Sequence, residues 1–330
     1  MKLNSPAQLK TTLLAHCRQP GKIAILTHKN PDGDGLAAAL ALQDILLKSG
    51  FANDIVLEEP AANELDFLQV KDKVIVFQSD MEYKILILVD CHEPERTGKC
   101  AVLAEKASVL IAIDHHEPQE LNNHWYYYIK PDQVSAGAII FTTFRSEIAS
   151  MPPVRRRYVA DCLYTTILND TDGFMNSNTD AEVFRICAQL TEMGVIPHLL
   201  MEAFLLNNSP AKLRFIGEAL SSIETYHDDT ILFLHTTLDQ LAANGLSQED
   251  TSKITRWVKG STGVKAFIYA REISPDNYRL SLRSAAINCN AICAKFGGGG
   301  HISASGCSIQ LPFADMKKTI IDEVKKQLNG

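Results

Sequence analysis

Residues 108–113, with the sequence SVLIAI, lead directly into Asp114, His115 and His116. A short run of apolar, partly branched residues is typical of a buried strand in a parallel sheet and is too short for a helix. Ligands of open α/β sheets collect at strand ends, and three polar side chains are costly to bury there unless something binds them. The triplet therefore predicts either a ligand site or solvent-facing caps, and the remaining motifs decide between the two.

The chain of 330 residues has a formal net charge of -7, with both signs of charge interspersed. This length favours two domains over one. The acidic balance argues against a broad surface for long nucleic acid but is compatible with a local basic pocket for a short anion. No apolar run reaches the roughly 18 residues of a membrane span, and residues 1–10 predict no signal peptide. We expect a soluble, cytoplasmic protein whose scattered cysteines are reduced.

Strands and helices alternate through the first half of the sequence. Strands are predicted for residues 23–26, 53–57, 84–89 and 108–113, the first and last of them buried, and an edge strand is predicted for residues 125–129. Helices are predicted between and after them: residues 36–47, 99–106, 135–148, 154–168 and 180–193. This alternation indicates an α/β fold with a doubly wound parallel sheet.

The pattern changes in the second half. Strands are predicted for residues 231–235, 264–270, 278–282 and 307–310. Helices are predicted for residues 197–208, for the segment that starts at Ser209, and for residues 248–259 and 313–328. The glycine run 297–300 is expected to be a loop. We therefore predict a first domain over residues 1–195, a helical linker over residues 196–215, and a smaller α/β domain over residues 216–330.

Acidic and histidine side chains follow the predicted strands of the first half, and two more acids stand at a helix end. The candidate set is His28, Asp32, Asp34, Asp90, Asp114, His115, His116, Asp170 and Asp172. Each piece alone is typical of a turn or a cap, the Pro-Asp-Gly-Asp-Gly segment at 31–35 above all. Because the carboxyl ends of parallel strands meet at one edge of a sheet, we expect the whole set to come together.

Several carboxylates in one place repel one another unless some are protonated or a cation binds them. Carboxylate oxygens and imidazole nitrogens without thiolates favour Mn²⁺ or Mg²⁺ over a structural zinc ion. The candidate set exceeds what one ion needs. The sequence therefore predicts two divalent metal ions bridged by a carboxylate, an arrangement that activates water for attack.

In order and spacing, these residues resemble the four motifs of the DHH phosphoesterase superfamily. His28, Asp32 and Asp34 stand for the first motif, Asp90 for the second, Asp114, His115 and His116 for the third, and Asp170 for the fourth. Residues 279–284, RLSLRS, and 297–306, GGGGHISASG, resemble the DHH-associated C-terminal domain. The resemblance covers nearly the whole chain and looks closest to the two-domain, NrnA-like group of nanoRNases and 3′-phosphoadenosine-5′-phosphate (pAp) phosphatases.

The resemblance implies a role for each first-domain position. One metal ion would be held by His28, Asp32 and Asp90, and the other by Asp34, Asp90, His115 and Asp170, with Asp90 bridging. Asp114 would orient a ligand histidine, and His116 would contact the substrate phosphate.

In the second domain, the resemblance implies that Arg283, Gly298, Gly299, Gly300 and His301 bind the far end of the substrate, across a cleft between the domains. Glycine allows backbone N–H groups to approach an anion, and the arginine fork matches phosphate oxygens.

Two positions depart from the pattern of the superfamily or stand outside it. Asp172 is an extra carboxylate that would change the metal preference or repel a substrate phosphate. His92 is expected to be a surface histidine, the alternative being an outer partner of the metal site.

The implied function is hydrolysis of short nucleotides with manganese as the first choice of metal: di- to pentaribonucleotides, linear dinucleotides such as pApA and pGpG, and pAp. Neither long DNA nor a membrane is an expected partner, and a homodimer is compatible with the sequence. Two alternatives remain open. One is an inorganic pyrophosphatase or exopolyphosphatase of the same superfamily, and the other is a non-catalytic nucleotide sensor.

Overall fold

A six-stranded sheet lies in each half of the chain, as seen in a computed structural model that describes residues 1–61, 63–118, 121–251 and 254–329. The chain divides into two units, Met1–Asn207 and Asn208–Gly330, each with its own sheet. The predicted fold class, a parallel α/β sheet followed by a second, smaller α/β part, is confirmed.

The sheet of the first unit is parallel throughout. Its strands are β1 (Ile23–Leu26), β2 (Asp54–Leu57), β3 (Val74–Val76), β4 (Ile85–Val89), β5 (Val109–Asp114) and β6 (Tyr126–Ile129). They lie in the order β3-β2-β1-β4-β5-β6. The chain winds outward in one direction from β1 and in the other from β4, so the topological switch point, where such sheets bind ligands, lies between these two strands.

Apolar side chains cover both faces of this sheet. In β4, Ile85, Ile87 and Val89 belong to one apolar cluster, whereas Leu86 and Leu88 belong to another on the opposite face. This alternation follows from the two-residue period of a strand, and burial on both faces explains why the strands are continuous apolar runs. The helices of this unit are α1 (Pro6–Cys17), α2 (Gly33–Lys48), α3 (Leu103–Lys106), α4 (Ala136–Ala149), α5 (Pro153–Asp170), α6 (Ala181–Glu192) and α7 (Pro197–Leu205).

The second unit has a mixed sheet. Its strands are β7 (Glu224–Tyr226), β8 (Ile231–Thr236), β9 (Ala266–Ser274), β10 (Asn277–Ser284), β11 (Gly299–His301) and β12 (Ala304–Gln310), in the order β11-β12-β10-β9-β8-β7. The β8–β9 pair is parallel and the other pairs are antiparallel. Its helices are α8 (Pro210–Ser221), α9 (Leu238–Ala243), α10 (Cys289–Ala294) and α11 (Phe313–Leu328). Within the described ranges, no helix of either unit is both long and apolar enough to span a bilayer.

The helix predicted for residues 248–259 is wrong. The chain forms two short 3₁₀ segments there, Gln248–Thr251 and Ile254–Val258, while residues 252 and 253 lie outside the described part. The Gln248 side chain donates to the carbonyl of Glu272 at 2.8 Å, and Thr251 Oγ1 donates to the carbonyl of Gln248 at 2.6 Å. These contacts tie the segment to β9 and compete with helical hydrogen bonding. Residues 99–106 are likewise helical only at their end, because Pro94–Val102 is a 3₁₀ segment.

The glycine run is also more ordered than the predicted loop. Gly299 and Gly300 pair with Gly306 and Ser305 in the β11–β12 hairpin. A Cβ atom on Gly298 would lie 2.2 Å from the carbonyl oxygen of Gly306, so this glycine is required by close backbone packing. The run therefore forms a tight edge of the second sheet.

Candidate metal centre at the strand ends

The loop between β1 and α2 carries the first group of polar residues. Asp32 is the N-cap of α2, and its Oδ1 accepts hydrogen bonds from the backbone N–H groups of Asp34 and Gly35 at 3.0 and 3.2 Å. Asp34 lies in the first helical turn and is fully buried. A Cβ atom on Gly35 would lie 2.3 Å from Thr27 Oγ1, so the helix begins as close to β1 as a glycine permits. The acidic segment is therefore a packed helix start.

Asp90 follows β4 in the left-handed region, with φ of 62°. Asp and Asn tolerate this conformation better than other residues with a side chain. Asp90 Oδ2 lies 3.4 Å from His28 Nε2, while Oδ1 lies 3.4 Å from His115 Nε2 and 3.6 Å from His116 Nδ1. One buried carboxylate thus contacts the histidines that follow β1 and β5.

The residue after β5 and the last residue of α5 complete the arrangement. His115 Nε2 lies 3.2 Å from Asp170 Oδ2 and 3.6 Å from Asp34 Oδ2. Three groups of side chains place their ligand atoms within 4.8 Å of one another, a spacing that could hold a metal ion: His28, Asp32 and Asp90; Asp34, His115 and Asp170; and Asp90, His115 and His116. The structure therefore brings together all six residues that the sequence proposed as metal ligands.

Burial and charge at this centre fit a bound cation. Burial, together with the charges of Asp90 and Asp32, raises the pKa of Asp34 well above its usual value. Burial and the nearby Asp34 raise the pKa of Asp170 in the same direction, against an opposing effect of His115. Asp90 Oδ1 and Asp170 Oδ2 are buried, and neither has a hydrogen-bond partner among the described residues. Buried acceptors without donors are the expected ligands of a divalent ion.

The histidines respond to the same carboxylates. Burial alone would lower the pKa of His28, but Asp32 and Asp90 raise it to about 10. Burial would likewise lower the pKa of His115, and Asp90 and Asp170 raise it to about 9. Without a metal ion, protons therefore supply the positive charge that the carboxylates require, and a divalent cation would replace them.

Backbone groups hold two of these side chains in place. The N–H groups of Ala136 and Gly137, in the first turn of α4, donate to the two oxygens of Asp34 at 2.7 and 3.1 Å. His115 Nδ1 lies 3.3 Å from the carbonyl oxygen of Gln133. This contact keeps a proton on Nδ1, so Nε2, which faces the carboxylates, is the nitrogen that can bind a metal ion.

Asn169 belongs to the centre although the sequence did not indicate it. Its Nδ2 donates to Asp32 Oδ2 at 3.0 Å and to Asp170 Oδ1 at 2.9 Å, and its Oδ1 accepts from the N–H of Gly33 at 3.2 Å. The side chain thus links the end of α5 to the start of α2. Its position directly before Asp170 was the available signal.

The prediction that His92 is a surface histidine is wrong. Its side chain is only 3% exposed, and Nδ1 donates a hydrogen bond to Oδ2 of the fully buried Asp114. Asp114 Oδ1 accepts from His116 Nδ1 at 2.8 Å and from the backbone N–H of His115 at 2.7 Å. Asp114 therefore contacts the ring of His116 and not that of His115, whose ring is held by Gln133. Burial would raise the pKa of Asp114, but His116 and His92 hold it well below its usual value.

The residues proposed for substrate binding lie in the second unit. Arg283 is exposed on β10, and one guanidinium nitrogen donates to the carbonyl of Leu282 at 2.9 Å. Ala304 of β12 pairs with Arg283 on one side and with His301 on the other, so these two positions share a row across the sheet. The side chain of His301 lies outside the described part of the chain. Asp172 adopts the left-handed conformation with φ of 50° and belongs to none of the three ligand groups found in the described ranges.

Comparison with known families identifies the class of protein. The family model for the N-terminal domain of the DHH family matches residues 22–167, and the DHHA1 domain model matches residues 232–330. Together these matches cover most of the chain, in the order that the motifs indicated. The chain belongs to the DHH family.

Individual relatives match about nine tenths of the chain in a single alignment. A protein of Thermus thermophilus named bifunctional oligoribonuclease and PAP phosphatase NrnA is 26% identical over 314 residues, which are 93% of this chain and 90% of the relative. A protein of the same name from Mycoplasma genitalium is 26% identical over 294 residues, 88% of this chain and 90% of its own. The crystal structure of an exopolyphosphatase-related protein from Bacteroides fragilis has the same fold, with a TM-score of 0.87 over 98% of both chains at 20% identity. The resemblance to NrnA-like members of the superfamily is confirmed.

Proposed function

We propose that this protein is a metal-dependent phosphohydrolase of short nucleotides. The substrates would be di- to pentaribonucleotides, linear dinucleotides such as pApA and pGpG, and pAp. One observation carries the proposal: carboxylates and histidines that follow β1, β4 and β5, begin α2 or end α5 lie together, and two of their buried oxygens have no donor among the described residues. Relatives that match nearly the whole chain are named for oligoribonuclease and PAP phosphatase activities, which supports the choice of substrate.

We assign two divalent cations to the centre, with Mn²⁺ as the first choice and Mg²⁺ as the second. The proposed ligands are His28, Asp32, Asp34, Asp90, His115 and Asp170. When bound, the ions would lower the pKa of a water molecule and offset the charge of the phosphate. Asp90 is the proposed bridge because it belongs to two of the three ligand groups and contacts His28 and His115 through different oxygens.

His116 is the proposed contact to the phosphate. Its side chain is 28% exposed, and Nδ1 donates to the buried Asp114. Because Nδ1 is engaged by Asp114, a hydrogen bond or proton transfer to the substrate would use Nε2. An imidazole held in this way can stabilise the negative charge that develops on a phosphoryl group.

The second unit would recognise the rest of the nucleotide. Arg283 supplies an exposed guanidinium on β10. Gly299, Gly300 and His301 form the edge strand β11 of the same sheet, with β12 between the two strands, and Gly298 directly precedes β11. Guanidinium groups and exposed backbone N–H groups are suited to a phosphate or a nucleotide edge. We therefore assign catalysis to residues 1–195 and recognition to residues 216–330. The free, buried cysteines favour a reducing compartment such as the cytoplasm as the site of action.

A substrate panel tests the proposal. Purified protein is assayed with pAp, pApA, pGpG, a longer RNA and inorganic pyrophosphate, in Mn²⁺, in Mg²⁺ and with a chelator. We expect release of mononucleotides or adenosine monophosphate with Mn²⁺ and no turnover with the chelator. Binding of nucleotides without hydrolysis would indicate a sensor, and faster hydrolysis of pyrophosphate than of any nucleotide would indicate a pyrophosphatase.

Two aspartate-to-asparagine variants test whether the reaction takes place at the proposed metal centre. Asp90→Asn removes the proposed bridging carboxylate, and asparagine keeps the left-handed backbone. Asp172→Asn makes the same change at another left-handed position, outside the ligand groups of the described residues. Turnover should be lost in Asp90→Asn and largely retained in Asp172→Asn. Equal turnover in the two variants would contradict the assignment of the site.

A further inference from the structure

We propose that His92 is a positioning residue of the hydrolytic centre. It holds the carboxylate of Asp114, and this carboxylate in turn fixes the ring of His116. The inference rests on the proposed function, because it assigns His116 to the reaction. The inference adds His92, two positions after Asp90, to the residues of the centre, although the sequence pattern predicted a surface histidine there.

The backbone at the end of β4 brings His92 to Asp114. Val89 of β4 pairs with Ile113 of β5, so the two strands end side by side. The left-handed conformation of Asp90 then turns the chain, and Cys91 and His92 continue inward with 0% and 3% exposure. The same turn therefore places Asp90 among the candidate ligands and His92 behind them.

The two imidazoles contact opposite oxygens of one carboxylate. Oδ1 of Asp114 accepts from His116 Nδ1 at 2.8 Å and from the backbone N–H of His116 at 3.1 Å. Oδ2 accepts from His92 Nδ1. Because Asp114 is fully buried, a carboxylate oxygen that lost its donor would have no water to replace it. Loss of the His92 donor therefore favours rotation of Asp114, and rotation releases the ring of His116.

Packing alone does not explain a histidine at this position. His92 Nε2 is buried and has no hydrogen-bond partner in the described part of the protein. A leucine or phenylalanine would fill similar space without a buried polar atom that lacks a partner. The atom that distinguishes histidine from these residues here is Nδ1, whose partner is Asp114. The polar contact is therefore the reason for the residue type.

Two amide substitutions separate positioning from packing. In His92→Asn, the amide nitrogen falls near the position of Nδ1 and can donate to Asp114. In His92→Gln, the same group falls near the position of Nε2 and cannot. Outer partners of metal-site residues typically contribute 10- to 100-fold to activity. We expect kcat for pApA to fall by about 10- to 100-fold in His92→Gln and by less than about threefold in His92→Asn, with KM and metal content unchanged in both.

A measurement on the metal-free protein provides an independent readout. Nitrogen-15 NMR of labelled histidine reports whether His116 Nδ1 carries a hydrogen-bonded proton. This signal should persist in His92→Asn and be lost or shifted in His92→Gln. If none of the nucleotides is hydrolysed, the proposed function fails, and the NMR comparison still decides the role of His92.

Three results would overturn the inference. One is an equal loss of kcat in the two variants. Another is a change confined to KM or to metal content. The third is an unchanged His116 signal in His92→Gln, since the ring of His116 would then keep its position without the His92 donor.

Discussion

Substitution of Gly35 by alanine tests how closely the helix start is fitted to the metal centre. The added Cβ would lie 2.3 Å from Thr27 Oγ1, 3.3 Å from Asp90 Oδ2 and 3.4 Å from His28 Nε2. Alanine is favoured over glycine in a helix by at most about 1 kcal/mol, whereas overpacking a filled site costs about 1–3 kcal/mol. The metal-free Gly35→Ala protein should therefore lose up to about 2 kcal/mol in its free energy of unfolding.

Gly217→Ala is the matched control. Gly217 lies within α8, and a Cβ atom there meets nothing within 4 Å. This variant should gain about 0.5–1 kcal/mol in its free energy of unfolding, because the same helical preference acts without a clash. The affinity for Mn²⁺ should be unchanged in Gly217→Ala. It should fall by about 10- to 100-fold in Gly35→Ala, where Thr27 must move and the new methyl group crowds the carboxylate of Asp90.

Urea denaturation of the metal-free proteins and calorimetric titration with Mn²⁺ measure both effects. Removing the clashing hydroxyl in the double variant Thr27→Ala, Gly35→Ala should recover part of the lost affinity, because the new methyl group gains space on that side. The reasoning is refuted if Gly35→Ala is stabilised as much as Gly217→Ala and binds Mn²⁺ as tightly as the unmodified protein.

Three further predictions concern the length of the substrate, its recognition by the second unit, and the stability of the first unit. Dinucleotides should be hydrolysed faster per end than RNA of about twenty residues, because the chain has a net charge of -7 and the sequence indicates no long basic track; equal rates would contradict this. Arg283→Ala should reduce turnover of pApA by about 10- to 100-fold, the loss of one charged hydrogen bond, but reduce turnover of bis-p-nitrophenyl phosphate much less. Arg279→Ala, at another exposed position of β10, is its control, and equal effects on both substrates would place Arg283 in the catalytic centre. Asp44→Asn should lower the free energy of unfolding by about 1.5–3 kcal/mol in urea, because the buried carboxylate accepts from Lys73 Nζ at 2.8 Å and Arg155 Nε at 2.7 Å; an unchanged midpoint would argue against it.

The first sheet was predictable because its strands are buried on both faces. Each of its five predicted strands lies within one residue of the observed one, since a continuous apolar run marks such a strand at both ends. The candidate ligands followed from the same signal, because their positions depend only on where the strands end. The missed strand β3 is an edge strand of three residues, and two of them, Ile75 and Val76, are partly exposed.

The supporting residues of the site were not predictable in the same way. His92 is buried because Asp90 takes a left-handed conformation and β5 lies beside β4, and the residue types around His92 reveal neither the conformation nor the strand order. Asn169 joins α5 to the start of α2, two segments that are 137 residues apart at the Asn169–Asp32 contact. The local sequence pattern indicates which residues follow a strand. The hydrogen-bond partners of those residues depend on how the strands and helices pack, which the local pattern does not show.

The left-handed backbone at Asp90 limits how this position can change during evolution. Asparagine and glycine accept the conformation but have no carboxylate, and glutamate has a carboxylate but pays a conformational cost of about 1–2 kcal/mol and places the group one methylene further out. The residue at position 90 must tolerate the left-handed backbone and also supply a carboxylate at the right distance. Aspartate is the one standard amino acid that does both. Saturation mutagenesis should find no functional replacement there, whereas Asp172, with a similar φ of 50°, should accept asparagine and glycine. An alanine scan would overstate the contribution of the Asp90 carboxylate, since part of its effect would come from the backbone.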